Sequence, residues 1–361
     1  MKLAVLGLPN SGKTTIFNAL TGATLETSAG TSGVFSVESR TVNVPDKRID
    51  ALAKMYNPKK VMYATITYID VGGLDKGINK GGLNGAFRNE LQQADGFVHV
   101  VRAFESDLVP HPYDKVDPLS DLESLNGEFI LTDLVTVENR EKKLQDELRV
   151  KGKKVEVVIN AELAVIAKMR AALENEIPLR EVDLTEEEVK PMRGFGFLTL
   201  KPMLVVVNVG EDNADLDLTP FKKYETPYCR VVKLQGALEA EIAQLGDEDA
   251  EMFMQEYNIT ERSAALVIRA SYELLAVQAF FTVGTDEVRA WRTAIGATAP
   301  EAAGAIHSDL QKGFIRAEVM KTEELLAAGS EAALKQEGKF RLEGRDYVVR
   351  DGDIINIRHS S

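Results

Sequence analysis

A single cysteine, Cys229, stands in the 361-residue chain, so no intramolecular disulfide can form and a reducing compartment is expected. It lies in the apolar run Tyr228-Cys229-Arg230-Val231-Val232, which favours a small buried core residue over a reactive thiol. Basic residues are in deficit: 43 Lys and Arg against 56 Asp and Glu leave a net charge of −13. That excludes a globally basic nucleic-acid coat and leaves room only for a local basic patch. No apolar run approaches the ~20 residues of a membrane-spanning helix, so no membrane partner is expected. The opening Met1-Lys2-Leu3-Ala4-Val5-Leu6-Gly7 is too short for a signal peptide ahead of the glycine-rich segment, and a cytoplasmic protein is expected. Long low-complexity linkers and internal repeats are missing too. What remains is an ordinary globular mixture, 44% hydrophobic and 27% charged, with length for two or three domains.

The chemistry begins with Leu3 to Leu6, an apolar run fit for a buried parallel strand. It leads into Gly7-Leu8-Pro9-Asn10-Ser11-Gly12-Lys13-Thr14-Thr15, which fills every fixed position of G-x-x-x-x-G-K-[ST]. Thr15 to Leu20 then reads as the start of a helix. Gly7 and Gly12 let the backbone wrap phosphate with its N–H groups inward, and the helix N-terminus adds partial positive charge. Asn10, Ser11, Gly12, Lys13, Thr14 and Thr15 are therefore the phosphate-binding candidates. Lys13 reaches the β- and γ-phosphates as a catalytic charge, and the Thr14 hydroxyl is a Mg²⁺ ligand.

Thr65 to Ile69 is a second strand, ending in Asp70-Val71-Gly72-Gly73, a D-x-x-G. Asp70 is placed to hold Mg²⁺ through water and the Gly73 N–H to meet the γ-phosphate. The glycines that follow (Gly77, Gly81, Gly82, Gly85) fit a switch loop. A third diagnostic strand, Met203 to Val207, ends in Asn208-Val209-Gly210-Glu211. The guanine reader N-K-x-D has Lys and Asp where Val209 and Glu211 stand, which argues against strict guanine specificity. Asn208, Val209, Glu211 and, from the loop Gln235-Gly236-Ala237, Gly236 form the expected base pocket.

With these segments in view, the chain resembles the YchF subfamily of the Obg-related P-loop NTPases, known as ribosome-associated ATPases. The resemblance also rests on Asn43-Val44-Pro45-Asp46-Lys47-Arg48-Ile49-Asp50, on Val98 to Glu105, on the N-x-x-E of Asn208 to Glu211, and on a C-terminal set. That set includes Phe280 to Gly284, Glu287 to Trp291, Gly296 to Pro300, Lys312 to Val319 and Tyr347 to Asp353. It covers essentially the full chain. It implies an α/β, doubly wound P-loop NTPase domain with an inserted antiparallel helical arm and a C-terminal β-grasp (TGS) domain. The implied boundaries are 1–130 and 200–276 for the two NTPase parts, 131–199 for the arm and 277–361 for the TGS-like domain. ATP accepted as well as or better than GTP, with Mg²⁺ as cofactor, is also implied.

Departures from the family pattern mark a divergent member. The first switch lacks its aromatic-proline segment, so Thr31 is the best candidate Mg²⁺ threonine with Thr27 close behind. Ser11 stands where a small apolar residue is usual. The water-orienting Gln after D-x-x-G is replaced by Leu74, a substitution the family shares, which implies slow turnover or a residue from elsewhere. His111, in Val109-Pro110-His111-Pro112, is the candidate substitute, with a plain loop histidine as the alternative; His99, inside an apolar strand, reads as core.

Helix formers dominate Phe129 to Leu148 and Ala161 to Glu176, with Leu163, Ile166 and Leu173 at helical spacing. Arg140 to Lys154 carries seven basic residues against three acidic ones, a local +4 that is either a solvated helix face or a contact for ribosomal RNA phosphate. Two functions follow: a switch-type hydrolase of ATP and GTP coupled to the ribosome, or a nucleotide-gated ribosome or RNA module with negligible catalysis. A small-molecule kinase has no use for N-x-x-E or for a TGS-like terminus.

Overall fold

The computed structural model describes residues 1–26, 36–72, 85–257 and 259–360. The strands are β1 (Lys2–Leu6), β2 (Val37–Asn43), β3 (Lys60–Met62), β4 (Thr65–Val71), β5 (Gly96–Arg102), β6 (Met203–Asn208), β7 (Cys229–Leu234), β8 (Val277–Thr282), β9 (Glu287–Ala294), β10 (Phe314–Lys321), β11 (Arg341–Glu343) and β12 (Asp353–His359). They form two six-stranded sheets. The first five helices are α1 (Lys13–Thr21), α2 (Lys47–Tyr56), α3 (Gly85–Gln93), α4 (Pro118–Lys151) and α5 (Glu156–Glu174).

Two compact units divide the chain: residues 1–41 with 67–270, and 42–66 with 271–361. In the first, the sheet order is β2-β4-β1-β5-β6-β7, with β1 paired in parallel to β4 and β5, and β5–β6–β7 continuing in parallel. Strands β5 and β6 are buried along their whole length, as apolar strands covered on both faces must be. The chain leaves β1 toward β4 and returns on its other side through β5. This reversal opens a crevice at the C-terminal end of β1, where doubly wound sheets hold ligands.

The inserted arm is a hairpin of α4 and α5 joined by the short turn Gly152–Lys154. Ile130, Val137 and Leu144 on α4 face Ile159, Ile166 and Leu173 on α5 in one buried cluster. Both sets recur every seven residues, the spacing of a coiled-coil seam. Arg140 Nε and Nη2 donate to Glu162 across the pair at 2.7 and 2.9 Å. The expected helix began at Phe129; it begins at Pro118, capped by the Asp117 carboxylate, which accepts from the Ser120 N–H.

In the second unit the sheet order is β11-β10-β12-β8-β9-β3. The helix Ala299–Ile306 packs its Ala299, Ala302 and Ala303 with Phe280, Val319 and Ile355 of the sheet, a β-grasp arrangement. Residues 42–66, which the sequence reading placed in the first NTPase segment, belong to this unit instead. Their strand β3 adds to the sheet edge in parallel with β9, Lys60 opposite Glu287. Arg48 on α2 pairs with Asp46 and Asp351, and the Tyr56 hydroxyl donates to Glu331 at 2.7 Å.

Candidate nucleotide site

The crevice beyond β1 is lined by the P-loop. Gly7 (φ 155°) has no room for a side chain, since a Cβ would sit 2.3 Å from the Val100 carbonyl oxygen. Gly12 (φ 89°) caps α1, and a Cβ there would meet Asn208 Nδ2 at 2.3 Å. Asn10 is left-handed as well, its Nδ2 donating to the Pro110 carbonyl at 2.9 Å. Lys13 Nζ folds back to donate to the Leu8 carbonyl at 2.8 Å, so the cation already lies over the loop whose ligand it would bind. Ser11 is buried, its hydroxyl without a partner among the described residues. Thr15 follows in the first turn of α1.

Parallel pairing of β1 with β4 brings Val5 opposite Asp70, so a residue 56 positions along the chain reaches the P-loop. Thr14 Oγ1 donates to Asp70 Oδ2 at 2.9 Å, while Asp70 Oδ1 is buried and unpartnered among the described residues. Burial raises the Asp70 carboxyl above its usual range, against the opposing pull of the Thr14 hydrogen bond and of Lys13. An orphaned buried carboxylate oxygen beside a threonine hydroxyl is a hard-oxygen donor set suited to Mg²⁺. No cluster of three or more His, Cys, Asp or Glu that could hold a metal occurs among the described residues. Gly73 and Thr31, expected to contribute here, lie outside the described residues, as do Thr27 and Leu74.

On the base side, Asn208 is spent on the protein itself. Its Nδ2 donates to the Ser11 carbonyl at 3.0 Å and its Oδ1 accepts from the Gly236 N–H at 3.1 Å. It thus staples the P-loop to the 235–237 loop, a positioning task beyond the base contact expected of it. Val209 is buried, its side chain in one core cluster with Ala103, Val205 and Val207. Glu211 is exposed and has no partner among the described residues, leaving its carboxylate free for a ligand.

Two residues escaped the sequence reading. Arg102, 1% exposed at the end of β5, donates to Phe104 O (3.0 Å), Asn10 O (3.3 Å) and Val109 O (2.8 Å). Its guanidinium lies 4.4 Å from the centre of the Phe104 ring. Phe104 in turn borders both Gly12 and Gly210, so a flat aromatic stands beside the P-loop and the N-x-x-E loop. The available signal was a charge closing an otherwise apolar strand.

His111 is buried, its Nδ1 accepts from the Tyr113 N–H at 3.2 Å, and its Nε2 bonds Asp121 Oδ2 at 2.9 Å. Both ring nitrogens are engaged within the protein, which speaks against the water-orienting task expected of it. His99 and Cys229 are core residues as expected: burial drives the imidazole down to about 3 and the thiol up to about 11.

A P-loop at a doubly wound switch point, with its Thr–Asp pair and an N-x-x-E loop, defines a P-loop NTPase. Residues 2–161 match the family described as a 50S ribosome-binding GTPase, and residues 277–360 match the YchF GTPase C-terminal domain, described as a protein of unknown function. The ribosome-binding ATPase YchF of Haemophilus ducreyi is 41% identical over 362 residues, covering 99% of this chain and 98% of its own. That of Bacillus subtilis is 40% identical over 361 residues, covering 98% of each. The structure of the Schizosaccharomyces pombe YchF GTPase superposes with a TM-score of 0.85 at 31% identity, covering 99% of this chain and 97% of that one. The chain belongs to the YchF family.

Proposed function

We propose that this chain is a Mg²⁺-dependent ATPase that also accepts GTP, turns over slowly and works in association with the ribosome. The observation that carries the reading is the Thr14–Asp70 pair, its second carboxylate oxygen buried and unpartnered among the described residues, set against a complete P-loop. Thr14 and Asp70 would hold Mg²⁺, which when bound would neutralise charge on the phosphates. Lys13 would leave the Leu8 carbonyl for the triphosphate, and the N–H groups of the loop would hold the phosphate oxygens in place. Phe104 offers a stacking face for the base, and Asn208 holds the two loops on either side of it. Its relatives' names join ATPase activity to ribosome binding. In this chain the basic arm and the TGS-like unit are the surfaces that would make that contact. No helix of the described residues is long and apolar enough to cross a membrane, and a cytoplasmic location fits a ribosome partner.

A second reading, a nucleotide-gated module with negligible catalysis, gains from His111, whose ring is committed to Asp121 and Tyr113. Phosphate release from ATP and from GTP, with and without ribosomes, separates the two. Release above a Lys13→Ala control supports the hydrolase. Single-turnover release no faster than that control would leave only the gated module. Lys13→Ala should itself weaken ATP binding at least ~10-fold, since charge-assisted contacts are worth about 1.5–3 kcal/mol each.

A further inference from the structure

The helix Asp247–Glu256 is amphipathic in sequence, yet none of its described side chains is buried. Ala250, Phe253, Met254 and, one residue past its end, Tyr257 fall on a single stripe at helical spacing. Glu248, Asp249, Glu251 and Glu256 occupy the remaining surface, with Met252 among them. The stripe is open at one end: Tyr257 is 61% exposed, while Phe253 and Met254 are partly covered, and Met252 beside them is 61% exposed as well. The Phe253 and Tyr257 rings stack, their centres 4.5 Å apart, so the anchor is preformed rather than two loose side chains. None of the four carboxylates has an ion-pair partner among the described residues.

An aromatic–methionine stripe edged by acids is the complement of an apolar groove edged by lysines and arginines. Four carboxylates would be repelled by RNA phosphates and by anionic lipid, so neither suits this helix. Resting on the ribosome reading given above, we infer that the helix Asp247–Glu256 docks on a basic ribosomal protein, with Phe253 and Tyr257 as its anchors. It would divide the labour with the arm, whose lysines suit RNA. Buried aromatic anchors typically dominate such contacts.

Sedimentation of the full chain with purified ribosomes and, in parallel, with protein-free ribosomal RNA tests this. Phe253→Ala/Tyr257→Ala should weaken binding to intact ribosomes at least ~10-fold and leave binding to the bare RNA unchanged. Glu248→Gln/Glu251→Gln, at exposed positions that the fold does not use, should also weaken ribosome binding, by a factor that shrinks as salt rises. Helix variants that sediment with ribosomes as the parent does would overturn the inference alone, as would an equal loss on bare RNA. Self-association of the chain abolished by the same changes, with ribosome binding intact, would make a second copy the occupant and also overturn it. A parent chain that fails to sediment with ribosomes would sink the ribosome reading and this inference together.

Discussion

His111 receives the Tyr113 N–H on Nδ1, which leaves its proton on Nε2 for Asp121. Removing the ring therefore strands a buried carboxylate rather than a catalyst. His111→Ala should cost about 1–3 kcal/mol of stability, seen as a lower urea midpoint, while ATP turnover per folded molecule stays at the parent level. A turnover loss without a stability loss would return the residue to the mechanism. Base choice is decided at this scale too. Glu211 is one methylene longer than the Asp of N-K-x-D, enough to spoil one of the two contacts that Asp makes to guanine. Losing a partner for a buried donor costs about 1–3 kcal/mol, so ATP should bind at least as well as GTP in competition for one fluorescent analogue. Glu211→Asp should recover only part of any GTP preference, since Val209 is buried and cannot replace the missing Lys. A tenfold advantage for GTP in the parent chain would refute this. The P-loop was legible because its meaning is contained in nine consecutive residues. Arg102, Phe104 and the staple made by Asn208 were not, because their roles exist only once β5 and β6 lie side by side next to the P-loop.

Among the elements, the arm is where sequence and structure agree best in kind and least in extent. Helix-forming composition and the spacing of Ile166 and Leu173 announced α5, but the start of α4 was missed by placing it at Phe129. The cue was present: Asp117-Pro118 supplies a cap and a first-turn proline, and it was obscured by the polar first turns that follow. The basic cluster also resolves into two kinds of charge. Arg140, Arg149 and Lys151 are paired with Glu162, Asp146 and Glu147, whereas Lys142, Lys143, Lys153 and Lys154 have no ion-pair partner among the described residues. The four free lysines are the ones available to phosphate. Replacing all four with alanine should lower affinity for ribosomal RNA and flatten its salt dependence by roughly one unit of slope per lysine in contact. The arm itself should stay folded, because its seam of Val137, Leu144, Ile159 and Ile166 is untouched. An unchanged salt slope would mean that these lysines form only a solvated face.

For the whole molecule, the C-terminal unit is not a contiguous stretch of chain. The 277–360 match to the family's C-terminal domain omits β3 and α2, although Ile49 and Leu52 of α2 are fully buried and β3 completes the sheet edge. Uncovering two such side chains costs roughly 1.5–3 kcal/mol each, a large share of what a small domain possesses. A fragment of residues 271–361 should therefore unfold at markedly lower urea than the same fragment with 42–66 supplied by fusion, as monitored by circular dichroism. Equal midpoints would show that the inserted segment is dispensable. There is a consequence in time as well. The Lys59–Asp286 pair spans 227 residues. At about 5–20 residues per second of synthesis, Lys59 waits on the order of 10–45 s for its partner to be made. Through that interval Ile49 and Leu52 lack the sheet they are buried with, so the early-made segment needs shelter until the rest of its unit is synthesised.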